Sequence, residues 1–190
     1  MEENIRVFIA IELSPQVHKD LAALESSLKM SNADVKWVEP ENIHLTLKFL
    51  GDLKPDQIRN IGDILGEAVA GSKAFELTIK GIGAFPSLDS PRVVWVGVDR
   101  GEAELARIAE ALETKLLSIG IPKEDRKFHP HLTLGRVRSL KNIEKLRQII
   151  EVKKFEPGSK VKVEHITLFK SQLTPQGSIY SPLFKANIPE

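Results

Sequence analysis

The sequence predicts an α+β fold in one unit of two similar lobes spanning 1–190, and three observations carry that prediction. Short β-branched runs alternate with segments whose apolar residues recur at helical spacing. No low-complexity stretch or long linker breaks the 190 residues. The tetrad His-x-Thr-Leu stands at 44–47, 131–134 and 165–168, although five His and six Thr predict only about 0.16 His-x-Thr pairs by chance in 190 residues.

In chain order, IRVFIAIEL at 5–13 reads as a buried strand. A helix follows, with Ser14 as N-cap, Pro15 at its first position and Val17, Leu21, Leu24 and Leu28 along one stripe. VKWVEPENIHLTLKFLGDL holds a short strand, a break at Pro40 and a second strand. Ile58, Ile61, Leu65 and Val69 mark the next helix, which stops at Gly71. FELTIKGIGAFPS and RVVWVGV are two strands around a loop. The second half repeats the scheme: a helix with Leu105, Ile108, Leu112 and Leu116, a strand in HPHLTLGRVRS, a helix in NIEKLRQIIEV, then strands SKVKVEHITLFKSQL and YSPLFKANI across a TPQGS turn.

Composition removes several classes of function. The 27 Lys+Arg and 26 Asp+Glu leave a net charge of +1, so no global field draws the chain onto nucleic acid and any anion is held locally. Without cysteine there is no disulfide, thiol nucleophile or Cys-ligated metal. The opening MEENIRVFIAIEL has acids ahead of a run too short for a signal peptide, and no stretch reaches membrane-spanning length. The expectation is a soluble, cytoplasmic protein with no membrane partner.

His-x-Thr acquires chemical meaning on a strand, where residues i and i+2 share a face. Ile43, Leu45, Leu47 and Phe49 then form a core face, leaving His44, Thr46 and Lys48 on a polar one. His131 and Thr133 repeat the pattern in front of Leu132 and Leu134. Two imidazoles across a cleft can take and give a proton at neutral pH, and two hydroxyls can donate to the oxygens of a phosphodiester. A zinc site is disfavoured because no Asp or Glu lies within the two motifs and HExxH is absent.

The paired HLTL motifs, 131 − 44 = 87 residues apart, resemble the HxTx signatures of the two-histidine (2H) phosphoesterases. Within that superfamily the chain is similar to the RNA 2′,3′-cyclic phosphodiesterases, historically called 2′-5′ RNA ligases. RVFIAIEL, VKWVEPENIHLTLKFLG, PRVVWVGV, FHPHLTLGRV and LFKSQL follow the family's order across essentially the whole chain. The resemblance implies a LigT-like fold: bilobal, two antiparallel sheets facing a central cleft, helices outside. It implies no cofactor and no metal, His44 as proton donor, His131 as proton acceptor, and Thr46, Thr133 and Arg136 as phosphate-binding residues. The implied partner is RNA ending in a 2′,3′-cyclic phosphate, tRNA fragments included, acted on by a monomer. The implied reaction is hydrolysis to a 2′-phosphomonoester; ATP-independent 2′-5′ ligation and an RNA-end binding module without turnover stay open as alternatives.

Strict alternation turns Arg136 away from His131, so a bulge near Gly135 is expected; without one, Arg138 or Lys48 becomes the better anion partner. His165 and Thr167 read as structural, on an apolar face with Val161, Val163 and Phe169. His18 reads as solvent-facing, His129 has no assigned direction, and Trp37, Trp95 and Phe49 read as core.

Overall fold

The computed structural model describes residues 4–174 and 177–190. Among the described residues nine strands pair throughout in the antiparallel sense, and four helices cover them. β1 (Ile5–Ile11) is buried on both faces, which is why it reads as an unbroken apolar run. Val7, Ile9 and Ile11 join the main core, and Phe8 and Ala10 a smaller one with Phe169.

α1 (Pro15–Lys29) starts where Ser14 Oγ accepts from the Val17 amide at 3.4 Å. β2 (Val35–Trp37) and a 3₁₀ turn at Pro40–Asn42 lead into β3 (Leu45–Leu53), then α2 (Pro55–Val69). β4 (Phe75–Phe85), β5 (Val93–Arg100), α3 (Glu102–Leu117), β6 (His131–Val137) and α4 (Ile143–Val152) follow. β7 (Lys160–Val163), β8 (His165–Thr174) and β9 (Gly177–Asn187) close the chain. The predicted stripes of α1, α2 and α3 are all buried. Burial of each such leucine or isoleucine stabilises by about 1.5–3 kcal/mol, and truncating Leu21, Leu65 or Leu112 to Ala costs about 2–5 kcal/mol.

The strands run in the order β7-β4-β5-β6-β3-β1-β8-β9, with β2 on β6 beside this path. The two half-sheets meet at β6 and β3 through one pair, Leu45 opposite Leu132. That thin junction lets the halves diverge into a cleft. α2 and α3 cover the β3-β1-β8-β9 half, with Phe184 of β9 lying against Gly62 of α2. α1 and α4 pack together, Lys153 donating to Ser27 at 3.1 Å and Ser159, just before β7, to Asp20.

The run read as one strand at 159–173 is two. β7 pairs with β4 in one half, β8 pairs with β1 in the other, and Glu164 alone carries the chain across. Apolar alternation runs on both sides of Glu164 but changes phase there, Val161 and Val163 giving way to Ile166 and Leu168. The TPQGS turn includes residues 175–176, which lie outside the described residues.

Candidate active site

The two motif strands carry the same irregularity. On β3, Thr46 lies opposite Ala10 but Lys48 lies opposite Ile9, so Leu47 is an extra, bulged residue. On β6, Thr133 lies opposite Trp95 and Gly135 opposite Val94, so Leu134 is the bulge. Each bulge flips the alternation that follows it. Leu134 and Gly135 are both buried and Arg136 is exposed, on the face of His131 and Thr133. The bulge sits one residue before Gly135. Gly135 itself must lack a side chain, because a Cβ would meet Val35 Cγ1 at 2.6 Å.

The same device on β3 overturns two expectations. Lys48 leaves the polar face: it is 3% exposed, bonds both Glu113 oxygens at 2.7 Å and donates to the Pro122 carbonyl at 2.9 Å. It is therefore no anion partner for the cleft. Phe49 leaves the core face and is 56% exposed, its ring 6.0 Å from that of Phe8. Strict period-two reading cannot see a bulge, so it inverts every residue beyond one.

His44 and His131 are held alike. Nδ1 of His44 lies 2.8 Å from the Asn42 carbonyl, and Nδ1 of His131 lies 2.7 Å from the His129 carbonyl. A carbonyl only accepts, so each Nδ1 carries the proton and each neutral ring keeps its lone pair on Nε2. His44 stacks on Phe8 at 4.6 Å and meets the edge of Tyr180 at 5.1 Å. His131 meets the edge of Phe85 at 5.0 Å. Burial pushes the His44 pKa from 6.5 down to about 4, against the pull of the Asn42 carbonyl. Burial likewise lowers that of His131, opposed by the His129 carbonyl and assisted by the charges of His129 and Arg136. The influence of Arg136 on His131 agrees with a guanidinium on the cleft face. Among the described residues, the Thr46 and Thr133 hydroxyls and the Arg136 guanidinium have no hydrogen-bond or ion-pair partner.

The remaining histidines are engaged elsewhere. His165 Nε2 and Thr167 Oγ1 both meet Glu12 Oε2, at 2.9 and 3.0 Å, with Lys185 on the same oxygen at 2.8 Å. This third His-x-Thr thus folds around a carboxylate rather than into apolar packing. His18 is not free in solvent: its Nδ1 donates to the Pro40 carbonyl at 2.7 Å, tying α1 to the turn before His44. His129 is exposed, with its ring 5.4 Å from Phe85 and 5.3 Å from Trp95. Arg138 is exposed and its amide donates to the Asp34 carbonyl. Trp37 is half-buried against the main core. Trp95 lies opposite Thr133, over Gly83. Among the described residues no group of three or more His, Asp or Glu is arranged to hold a metal, and no helix is long and apolar enough to cross a membrane.

Sequence reasoning missed Phe8, Tyr180 and Phe85, which enclose the imidazoles, and the two carbonyls that orient them. Carbonyls leave no mark in a sequence, and the aromatics come from strands remote in the chain.

The LigT like Phosphoesterase family matches the chain twice, over residues 11–95 and 96–180, once for each motif. An RNA 2′,3′-cyclic phosphodiesterase of Methanothermobacter thermautotrophicus is 36% identical over 181 residues, covering 95% of this chain and 97% of the relative. That of Aeropyrum pernix is 41% identical over 166 residues, covering 87% and 93%. Escherichia coli LigT superposes with a TM-score of 0.79 at 25% identity over the full length of both chains. A Thermus thermophilus structure gives 0.80 at 25%, covering 97% of this chain and 98% of that one. With both halves matched and each half supplying one imidazole in the same carbonyl-anchored pose, the chain belongs to the LigT-like phosphoesterases of the 2H group.

Proposed function

We propose that the protein hydrolyses RNA 2′,3′-cyclic phosphodiester ends to 2′-phosphomonoesters by two-histidine acid–base catalysis without a metal. The observation that carries the reading is the matched anchoring of His44 and His131, which leaves two Nε2 atoms for proton transfer on strands that part at Leu45 and Leu132. Water attacks phosphorus as His131 Nε2 takes its proton, the P–O3′ bond breaks, and His44, charged in the complex, returns a proton to O3′. Attack and departure lie on opposite sides of phosphorus, so imidazoles from two lobes serve one oxygen each. Thr46, Thr133 and Arg136 hold the non-bridging oxygens, the guanidinium by its fork of donors.

Burial also bears on the rival binding module. A site built only to hold a phosphate gains from charged imidazoles, whereas here burial disfavours their charge. Ligation uses the same pair with an RNA hydroxyl in place of water, and nothing in the site favours that nucleophile. tRNA fragments with cyclic phosphate ends fall in the proposed substrate class. One chain carries both motifs, which supports a monomer, and a chain without cysteine suits the cytoplasm.

The deciding experiment incubates the protein with a 2′,3′-cyclic-phosphate oligonucleotide, with and without EDTA, and locates the phosphate in the product. A 2′-phosphate formed equally in both arms is expected. Loss of activity in EDTA that a divalent ion restores defeats the metal-free mechanism, and a 3′-phosphate reverses the substrate's orientation.

A further inference from the structure

Two strands that share one ladder pair are poorly fixed relative to each other, yet acid–base catalysis by opposed imidazoles depends on their separation. Misplacement by about 1 Å costs on the order of 10²-fold in rate. Beyond Leu45 and Leu132, β2 on β6 fixes the chain ahead of His44, and the chain entering β6 needs a hold of its own.

Lys48 has the required connections. It follows Thr46 by two residues, and the bulge at Leu47 turns it to the helix side of the sheet. Its side chain is 2% exposed, and its three ammonium protons face three acceptors: both Glu113 oxygens at 2.7 Å and the Pro122 carbonyl at 2.9 Å. Glu113, on α3, also accepts the Glu124 amide at 3.2 Å. One side chain of the first motif strand thus holds residues 122–124, which lead through six further residues to His131.

The knot is a poor device for stability alone. Removing an ammonium from water costs about as much as its pairing returns, and an apolar pair of similar volume is often as stable or more so. What the charges add is directional, fixed-length contact between β3 and the segment after α3 that leads into β6. We infer that Lys48 is a positioning residue which, through Glu113, sets the separation of the His44 and His131 strands. The inference rests on reading those histidines as the catalytic pair.

The double variant K48M/E113L tests it, since removing both charges leaves no orphaned ion in the core. Pro122 and Glu124 are exposed, so their freed backbone groups turn to water. The expected result is a fold with wild-type melting behaviour, KM within about threefold, and kcat down about 10–100-fold. Glu113→Asp, which keeps the charge but shortens its reach, shows a smaller loss in the same direction. A second readout is independent of turnover. The chain has no cysteine, so Asp63→Cys on α2 and Lys145→Cys on α4 take spin labels without background. Their distance distribution is expected to broaden or shift in the double variant. Wild-type kcat in K48M/E113L, or lost kcat with an unchanged distance distribution, overturns the inference. A wild-type protein that never turns over a cyclic phosphate defeats the functional reading instead, and the label distances still decide the role of Lys48 in holding the lobes.

Discussion

Phe49 and Arg136 stand at equivalent places in the two motif strands, each two residues beyond the bulged leucine. Phe49 lies opposite Phe8, and Arg136 opposite Val93. The pseudo-symmetric cleft is therefore asymmetric in chemistry, with a cation at one position and an exposed ring at the other. The proposed function puts the phosphate near the cation. Arg136→Lys keeps the charge but loses the bidentate fork, so kcat/KM falls at least about tenfold. Phe49→Ala should lower kcat/KM about tenfold for a nucleoside 2′,3′-cyclic phosphate, by loss of stacking worth about 1–3 kcal/mol. It should spare the methyl riboside 2′,3′-cyclic phosphate, which has no base. Equal losses on both substrates would mean that Phe49 merely supports Phe8.

The division of labour between the histidines is open to a chemical test. A 3′-thio leaving group needs little protonation, so it should restore turnover to His44→Ala and leave His131→Ala inactive. With the natural oxygen ester each variant loses at least about 10²–10⁴-fold. His165→Ala, which strips one of three donors from Glu12, should keep kcat and lose some stability. A folded His165→Ala protein as inactive as the other two would falsify the choice of pair.

The pH profile follows from burial. The proposed mechanism needs one imidazole neutral and the other charged, and burial has lowered both pKa values, that of His44 to about 4. In kcat/KM, which reports the free protein, both limbs of the bell therefore lie below about 6.5, the usual histidine value. Falling pH charges the base, and rising pH discharges the acid. The bound phosphodiester is anionic and favours imidazolium, so the kcat profile is displaced to higher pH. A kcat/KM profile centred above neutrality contradicts this account.

The same lowering makes stability depend on pH. The unfolded chain binds a proton at His44 near 6.5 and the folded one only near 4. The stabilisation is complete above the unfolded value and is lost as pH falls from 6.5 towards 4, by about 3 kcal/mol for this residue. His131 acts in the same direction. Denaturant titrations across that range should show the loss in the wild-type protein and a smaller one in His44→Phe. Identical slopes would place the pH dependence elsewhere.

Helix stripes were legible because burial of one helical face imposes a 3.6-residue period that a short window contains, and the stripes of α1, α2 and α3 are buried as read. His44, His131, Thr46 and Thr133 stood out because their motif is repeated with matching flanks, whereas Arg136 came only from the family resemblance. Tertiary structure alone decided what depends on pairing. Whether Leu47 and Leu134 bulge is settled by the neighbouring strands β1 and β5, and that choice sends Lys48 to the helices and Phe49 to the cleft. Glu164 separates two half-sheets because β4 and β1 each have an edge to fill, a fact about strands far away in sequence. Side-chain alternation is a local property, whereas register and burial belong to pairs of strands, so a sequence read one window at a time contains the first and not the second.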